Sequence, residues 1–361
     1  MTGLRIAVIG GGRWARIYVR LLAAHAADIA SIVVVTPRNV DGMRAWAAAE
    51  NLPGVEITGA WPEPGRVDAA IVVNAASDHD SAAEKLLRAG IPLLVEKPFA
   101  ANAAKAGQLV GLAAARGTYL AAAQVFRFAG YLHRFAGALV DISSVSLTWC
   151  DPAAEQRYGD AKSHDAALPL VVDIVPHLLS VLDILLPGAL LCEGVSIARG
   201  GAEVALRLSA GNVPISVRLA RNAPRRERLL EVTDRSGRAM LDFATEPGSI
   251  AQHGAIGSAD PNWRTRPSPL TQLVAAYLAA LAGKGRDPRL AAAHGVTACT
   301  LADAALRQAD AALLDWLKTA PAPSEDLRYA AAEIAARRRE PALLDASAEK
   351  LAEALEALRA R

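Results

Sequence analysis

An apolar run, Ile6-Ala7-Val8-Ile9, leads directly into Gly10-Gly11-Gly12-Arg13-Trp14-Ala15. The turn reads G-x-G-x-x-A, and Ile17, Val19, Leu21 and Leu22 then recur at helical spacing. Few folds accommodate a strand that becomes a helix through these residues. Gly10 permits the tight turn, Gly12 lets backbone approach a pyrophosphate, and the small Ala15 lets the helix pack close to its strand. The helix N-terminus adds free N–H groups and the positive end of its dipole. With a second apolar strand at 31–35, the context predicts a nucleotide-binding βαβ start that holds a dinucleotide.

Length and charge narrow the remainder. At ~150 residues per domain, a chain of 361 residues suggests two domains. A formal charge of +2 gives no field for nucleic acid or an anionic membrane surface. Cys150, Cys192 and Cys299 lie far apart with no metal-ligand spacing, so neither a metal nor a disulfide framework is expected. They read as reduced thiols of a cytoplasmic protein, and the opening strand leaves no room for a signal peptide. The longest apolar stretch, 168–186, is interrupted by Asp173, His177, Ser180 and Asp183, which argues against a membrane span.

Strands at 4–9, 30–35, 68–73, 92–95 and 118–122 alternate with helices at 13–26, 39–51, 79–89 and 102–116. This order predicts an α/β fold with a doubly wound parallel sheet. Later segments at 140–149, 192–198, 202–209, 213–221, 227–233 and 238–243 are short, strand-like and divided by turn residues. They predict a mostly antiparallel sheet, with helices at 168–186, 270–283 and 291–317 covering one face. The expected organisation is a dinucleotide-binding domain (1–122), an α+β substrate and oligomerisation domain (123–317), and a helical C-terminal extension (318–361). The extension's stripe of Leu344, Leu351, Leu355 and Leu358 is expected to dock on the body. The basic cluster Arg221–Arg228 reads as a hairpin's solvent face; without interleaved aromatics it does not read as a nucleic-acid site.

The end of the second strand discriminates between cofactors. An acid there would hold the ribose 2′-hydroxyl of NAD and repel a 2′-phosphate. Here the chain reads Val35-Thr36-Pro37-Arg38-Asn39, with no acid. Arg38 can fork onto a phosphate, Thr36 can donate a hydroxyl, and Arg13 can reach the same group. NADP(H) is therefore expected over NAD(H).

Two further signals carry chemistry. Glu96-Lys97-Pro98 ends the fourth strand at the edge where such sheets bind ligands, and Pro98 holds Lys97 extended and suits a cis bond. On the apolar helix at 168–186, Asp173, His177 and Ser180 share one face, with Pro176 expected to kink it. Polar groups on a buried helix need partners or a wet cavity. His177 is the natural proton donor or acceptor, Asp173 can orient it, and Lys97 can stabilise a developing anion.

Together with Asn74-Ala75-Ala76-Ser77-Asp78-His79 after the third strand, and Arg266-Pro267-Ser268-Pro269-Leu270 later, these motifs resemble the glucose–fructose oxidoreductase/inositol dehydrogenase (Gfo/Idh/MocA) family over residues 4–317. The resemblance implies a catalytic group of Lys97, Asp173 and His177. It also implies that Asn74 and His79 lie beside the cofactor, that Glu96 lies near the nicotinamide, and that Arg127 orders a domain interface. It further implies a homodimer or homotetramer formed through the open face of the second sheet. Departures include Ala167-Leu168-Pro169 where the family carries glycines, and Ser180 where it carries an acid. They make the pocket more apolar than a polyol site and leave a nucleotide-linked or modified sugar, or a less polar carbonyl or imine, open. The expected chemistry is hydride transfer between the nicotinamide and a small molecule's carbonyl or alcohol carbon, in the reductive direction. An imine reductase, a cofactor-retaining enzyme without net redox change, and a nucleotide-sensing scaffold are the alternatives. The polar loop 151–167, with Tyr158 and Ser163, reads either as a solvated connector or as a segment that closes on substrate.

Overall fold

Apolar runs bounded by glycine and proline become the strands of a buried parallel sheet. The computed structural model describes residues 3–157, 160–162, 164–252, 254–321 and 323–360. In the first compact unit, β1 (Leu4–Ile9), β2 (Ile29–Val35), β3 (Val55–Thr58), β4 (Ala69–Val72), β5 (Leu93–Val95) and β6 (Leu120–Ala122) align in the order β3-β2-β1-β4-β5-β6. Ile6 pairs with Ile32 on one side and Ala69 on the other. The order reverses at β1 and β4, and a crevice opens at such a reversal beyond the carboxyl ends of the strands. Helices α1 (Arg13–Ala23), α2 (Val40–Ala49), α3 (His79–Arg88) and α4 (Ala103–Arg116) complete the crossovers.

Edge strand β3 departs from the sequence expectation. Only Ile57 of its four residues is buried, so it leaves almost no alternation to read. The unit comprises the chain to Phe128 together with Pro267–Thr300. The helix expected at 270–283 to cover the second sheet therefore belongs here instead, as α7 (Pro269–Leu281) in the full chain order. Leu273, Val274 and Tyr277 are buried in the parallel-sheet core, and the Tyr277 hydroxyl donates to the Ala70 carbonyl at 3.1 Å. Periodicity identifies a buried face but not the surface that buries it.

The second unit comprises Ala129–Arg266 and the chain from Leu301. It starts with α5 (Gly130–Ala136) and holds an eight-stranded sheet. Its strands are β7 (Ser144–Pro152), β10 (Leu190–Ala198), β11 (Glu203–Ala210), β12 (Val213–Ala223), β13 (Glu227–Asp234), β14 (Gly237–Asp242), β15 (Ser249–Gln252) and β16 (Ala255–Ser258). The order is β10-β11-β12-β7-β13-β14-β15-β16, antiparallel except for the parallel pair β7–β12. Sequence reading missed β15 and β16, whose residues are all at least partly exposed. In the 151–167 loop, β8 (Glu155–Arg157) pairs with β9 (Asp160–Lys162), while Tyr158 and Ser163 lie outside the described residues.

Helix α6 (Leu170–Leu185) runs through Pro176 as one element, and the Ser180 hydroxyl donates to the Pro176 carbonyl at 2.9 Å. Helix α8 (Ala292–Leu317) leads to α9 (Glu325–Arg338) and α10 (Ala348–Arg359). Leu313, Leu317, Leu327, Ile334, Leu351 and Leu355 close a core of their own, so the extension docks within the fold, with Leu344 about half exposed. Among the described residues, no helix is long and apolar enough to cross a membrane.

Candidate active site

The Gly-rich turn forms the floor of a cleft of about 760 Å³ in the first unit. Gly10 adopts φ +146°, and a Cβ there would come within 2.8 Å of the Val73 carbonyl oxygen. Gly11 lies against Thr36, whose hydroxyl would meet any side chain added there, and Asn39 Nδ2 donates to the Gly11 carbonyl at 2.7 Å. Gly12 differs: a Cβ would meet nothing, so its backbone faces open space at the start of α1, where no side chain caps the helix. Ala15 is fully buried beneath.

Two polar atoms in this cleft are buried and lack a protein partner: Arg13 Nη1 and Asn74 Oδ1. A buried donor or acceptor left unmade costs about 1–3 kcal/mol. Together with the uncapped helix end, they fit a ligand that carries phosphates and hydrogen-bonding groups. A dinucleotide cofactor therefore fits the residues present. Trp14 lines the cleft, with the Arg13 guanidinium 5.8 Å from its ring centroid. Beyond β2, Arg38 is 87% exposed and lies 3.7 Å from Asp78. Thr36 is only 4% exposed and packs under the Gly-rich turn. Sequence reading also missed Trp61 and Lys85, which line this end of the cleft with the Lys85 ammonium 4.4 Å from the indole centroid.

His79 and Glu96 lie behind the cleft and do not line it. His79 is 3% exposed, with Nδ1 2.7 Å from the Pro98 carbonyl and Nε2 3.1 Å from the Asn74 carbonyl. It braces the ends of β4 and β5. Glu96 accepts from the Tyr18 hydroxyl at 2.6 Å and from the Lys97 N–H at 3.0 Å. Burial, with the Glu96 charge beside it, pushes the Tyr18 hydroxyl well above the ordinary tyrosine value. The Lys97–Pro98 bond is cis.

In the second unit, α6 carries both remaining candidates. Asp173 Oδ2 accepts from Arg221 Nη2 at 3.1 Å, and the same nitrogen donates to the Leu168 carbonyl at 2.8 Å. The His177 ring stacks on Trp149 of β7 at 5.3 Å, 9° from parallel. Arg228 lies 3.8 Å from the centre of the same indole and pairs with Asp151. Arg221 and Arg228 are 3% and 2% exposed while Arg225 is 81% exposed, so the expected solvent face holds only at the middle of the cluster and its two ends are buried. Their acidic partners stand 48 and 77 residues away, which local sequence cannot reveal. Burial works against the Arg221 charge, but Asp173 and Tyr329 outweigh it and its pKa is raised. Arg127 is buried in the first unit. Among the described residues, no group of three or more His, Cys, Asp or Glu could hold a metal.

The parallel sheet, its reversal point and the open Gly12 turn define a dinucleotide-binding protein of the Rossmann class. Residues 4–124 match the Gfo/Idh/MocA oxidoreductase family with its NAD-binding Rossmann fold. A UDP-N-acetylglucosamine 3-dehydrogenase from Acidithiobacillus ferrooxidans is 26% identical over 71% of this chain and 79% of its own length. An inositol 2-dehydrogenase from an Arthrobacter species is 34% identical, over 30% of this chain and 32% of its own length, so this chain spans about a third of that relative. The solved structure of a 3-ketoreductase from Actinomadura kijaniata, bound to TDP-benzene and NADP, shares the fold. Its TM-score is 0.68 at 19% identity, covering 85% of this chain and 98% of that one. The similarity to the Gfo/Idh/MocA oxidoreductase family model is carried by residues 4–124, about a third of the chain.

Proposed function

We propose that this protein is an NADP(H)-dependent oxidoreductase that reduces a carbonyl carbon of a nucleotide-linked or otherwise modified sugar. The orphaned Arg13 guanidinium nitrogen beside the open Gly12 turn carries the cofactor half of this reading. The substrate half draws on the relatives named for UDP-N-acetylglucosamine and on the 3-ketoreductase bound to TDP-benzene. The nicotinamide supplies the hydride acceptor or donor. His177, held flat by Trp149, moves the proton to or from the substrate oxygen. Asp173, fixed by Arg221, stabilises the cation that His177 becomes. Lys97 supplies positive charge to the developing oxyanion. In reduction the carbonyl carbon gains the hydride and its oxygen gains the proton, giving the alcohol.

At the ribose end, Arg38 meets the 2′-phosphate, since its exposed contact with Asp78 costs little to give up. Asp78 favours NAD(H), because a carboxylate there can accept from a ribose hydroxyl. Calorimetric titration with NADPH and NADH separately tests this: tighter NADPH supports the reading, and tighter NADH replaces it. Turnover of UDP-N-acetylglucosamine with NADP⁺, followed at the nicotinamide absorbance, tests the substrate class. Arg207, Ser216 and Arg218 are exposed along β11 and β12, and this face is where we place the contact of a homodimer or homotetramer. A monomeric mass by light scattering overturns that assignment.

A further inference from the structure

The outer end of the cleft holds two side chains, Trp61 and Lys85, that the reading above leaves without a task. Asp78, Ser81, Ala82 and Lys85 all line the cleft. Their spacing of three, four and seven residues puts them on one face of α3 and its N-cap. Trp61 reaches the same wall from the connection that runs from β3 to β4 without an α-helix. Its indole is partly buried against the core that α3 and α4 cover, so it is anchored from below. The Lys85 ammonium sits 4.4 Å from the indole centroid. An indole face attracts a cation at that range, which restrains a long side chain that would otherwise sweep through solvent.

The charges of this cleft are met unequally. Arg13, Arg38 and Lys85 line it, and Asp78 is the one acid among the described residues that do. Arg13 follows Gly12, where the open turn receives a pyrophosphate. Arg38 lies 3.7 Å from Asp78, so part of its charge is already met. Lys85 stands two turns further along α3 and rests on an indole, which attracts a cation without neutralising it. A dinucleotide charged only at its pyrophosphate leaves that ammonium unanswered. One that carries a further phosphate on the adenosine ribose answers it.

We propose that Lys85 is a specificity-determining cation for that ribose phosphate, in addition to Arg38, and that Trp61 is the positioning residue that aims it. The inference rests on the NADP(H) reading above. It adds a group from α3 to a choice of cofactor that sequence reading places at the end of β2.

The test is calorimetry on the full-length protein with two fragments of the cofactor, adenosine 2′,5′-bisphosphate and adenosine 5′-monophosphate, so it needs no turnover. The wild type is expected to prefer the bisphosphate. Lys85 is exposed, so Lys85→Gln leaves the core intact. It should cut the preference about tenfold, with monophosphate affinity within about twofold. Lys85→Arg should keep the preference. Trp61→Leu should cut it about threefold in the wild type and not at all in Lys85→Gln, because the ring acts only through the ammonium. A preference that survives Lys85→Gln but falls in Arg38→Ala overturns the proposal and leaves the NADP(H) reading standing. Equal losses for both fragments in Lys85→Gln also overturn it, since Lys85 is then a general contact. A Trp61→Leu loss that persists in the Lys85→Gln background overturns the role of Trp61. A wild type without preference for the bisphosphate removes the NADP(H) reading itself, and this proposal with it.

Discussion

The two units treat their charges in opposite ways. In the cleft of the first unit, Arg13 Nη1 and Asn74 Oδ1 are buried without a protein partner and the start of α1 is uncapped. Around α6 in the second unit, Arg221, Arg228 and Arg337 are each paired with a buried or half-buried acid. A site that receives a charged ligand can leave its groups unmet, because the ligand completes them. Around α6 each of these guanidinium groups has an acid to balance its charge, even where a single nitrogen such as Arg221 Nε makes no hydrogen bond, because a buried charge left without its ion partner is strongly destabilising. The first unit is thus prepared for an incoming cofactor, and the second holds its residues in place before anything binds.

The largest expected effect is on chemistry. His177→Ala should lower kcat by about 10²–10⁴, the usual contribution of a positioned proton carrier, while NADPH affinity stays within about twofold. Steady-state kinetics with a substrate found by screening, together with calorimetry, reads both quantities. Loss of NADPH binding with intact turnover per bound complex would place His177 on the cofactor side. Next comes one substitution made in both units. Arg221→Gln should cost about 3–5 kcal/mol in urea unfolding, because it breaks the ion pair that the nearly fully buried guanidinium makes with Asp173. Arg13→Gln should cost less than about 0.5 kcal/mol of stability yet weaken NADPH about tenfold, or about 1.4 kcal/mol. Equal stability losses would erase the contrast between the units.

Legibility in the sequence follows the same division. The β1–turn–α1 start is local, so Gly10, Gly12 and Ala15 declare it within a few residues. The polar stripe of α6 is also local, since Asp173, His177 and Ser180 share one face of a single helix. Arg221 was misread because its meaning depends on Asp173, an acid 48 residues away, and a run of arginines between turns reads as solvated. The resemblance implies His79 beside the cofactor; its bonds to the Asn74 and Pro98 carbonyls, which only the fold brings to it, add a bracing role. Helix α7 was given the wrong sheet because an apolar face does not name its partner. β3, β15 and β16 escaped because edge strands bury too little to alternate clearly.

A smaller effect concerns the far end of the cleft. Arg38 is highly exposed and held only loosely by Asp78. A charge-assisted bond to phosphate is worth roughly 1.5–3 kcal/mol, and exposure and salt place this one at the low end. Arg38→Ala should therefore weaken NADPH about tenfold and leave NADH nearly unchanged. Equal losses for both would make Arg38 a general contact and hand selectivity to Arg13 or Lys85, which also line the cleft.

The smallest effect tests whether the second unit is as fully satisfied as its ion pairs suggest. Burial raises the Glu333 pKa above its ordinary value, with Arg337 and Arg221 pulling the other way without winning. Its folded-state value thus lies above the unfolded one, so folding favours the protonated form. That contribution is fully present below the ordinary carboxylate range and is lost as pH rises towards the folded-state value. Glu333→Gln keeps an acceptor for Arg337 and removes the charge that burial disfavours. Relative to the wild type, the variant should gain stability as pH rises from 4 to 7, within about 1 kcal/mol, the net size of one hydrogen bond. Melting curves across that range read the sign directly. A variant that instead loses stability with rising pH would mean that the ionised Glu333 is held by its two arginines. The contrast between the units would then sharpen, since every buried charge around α6 would be compensated.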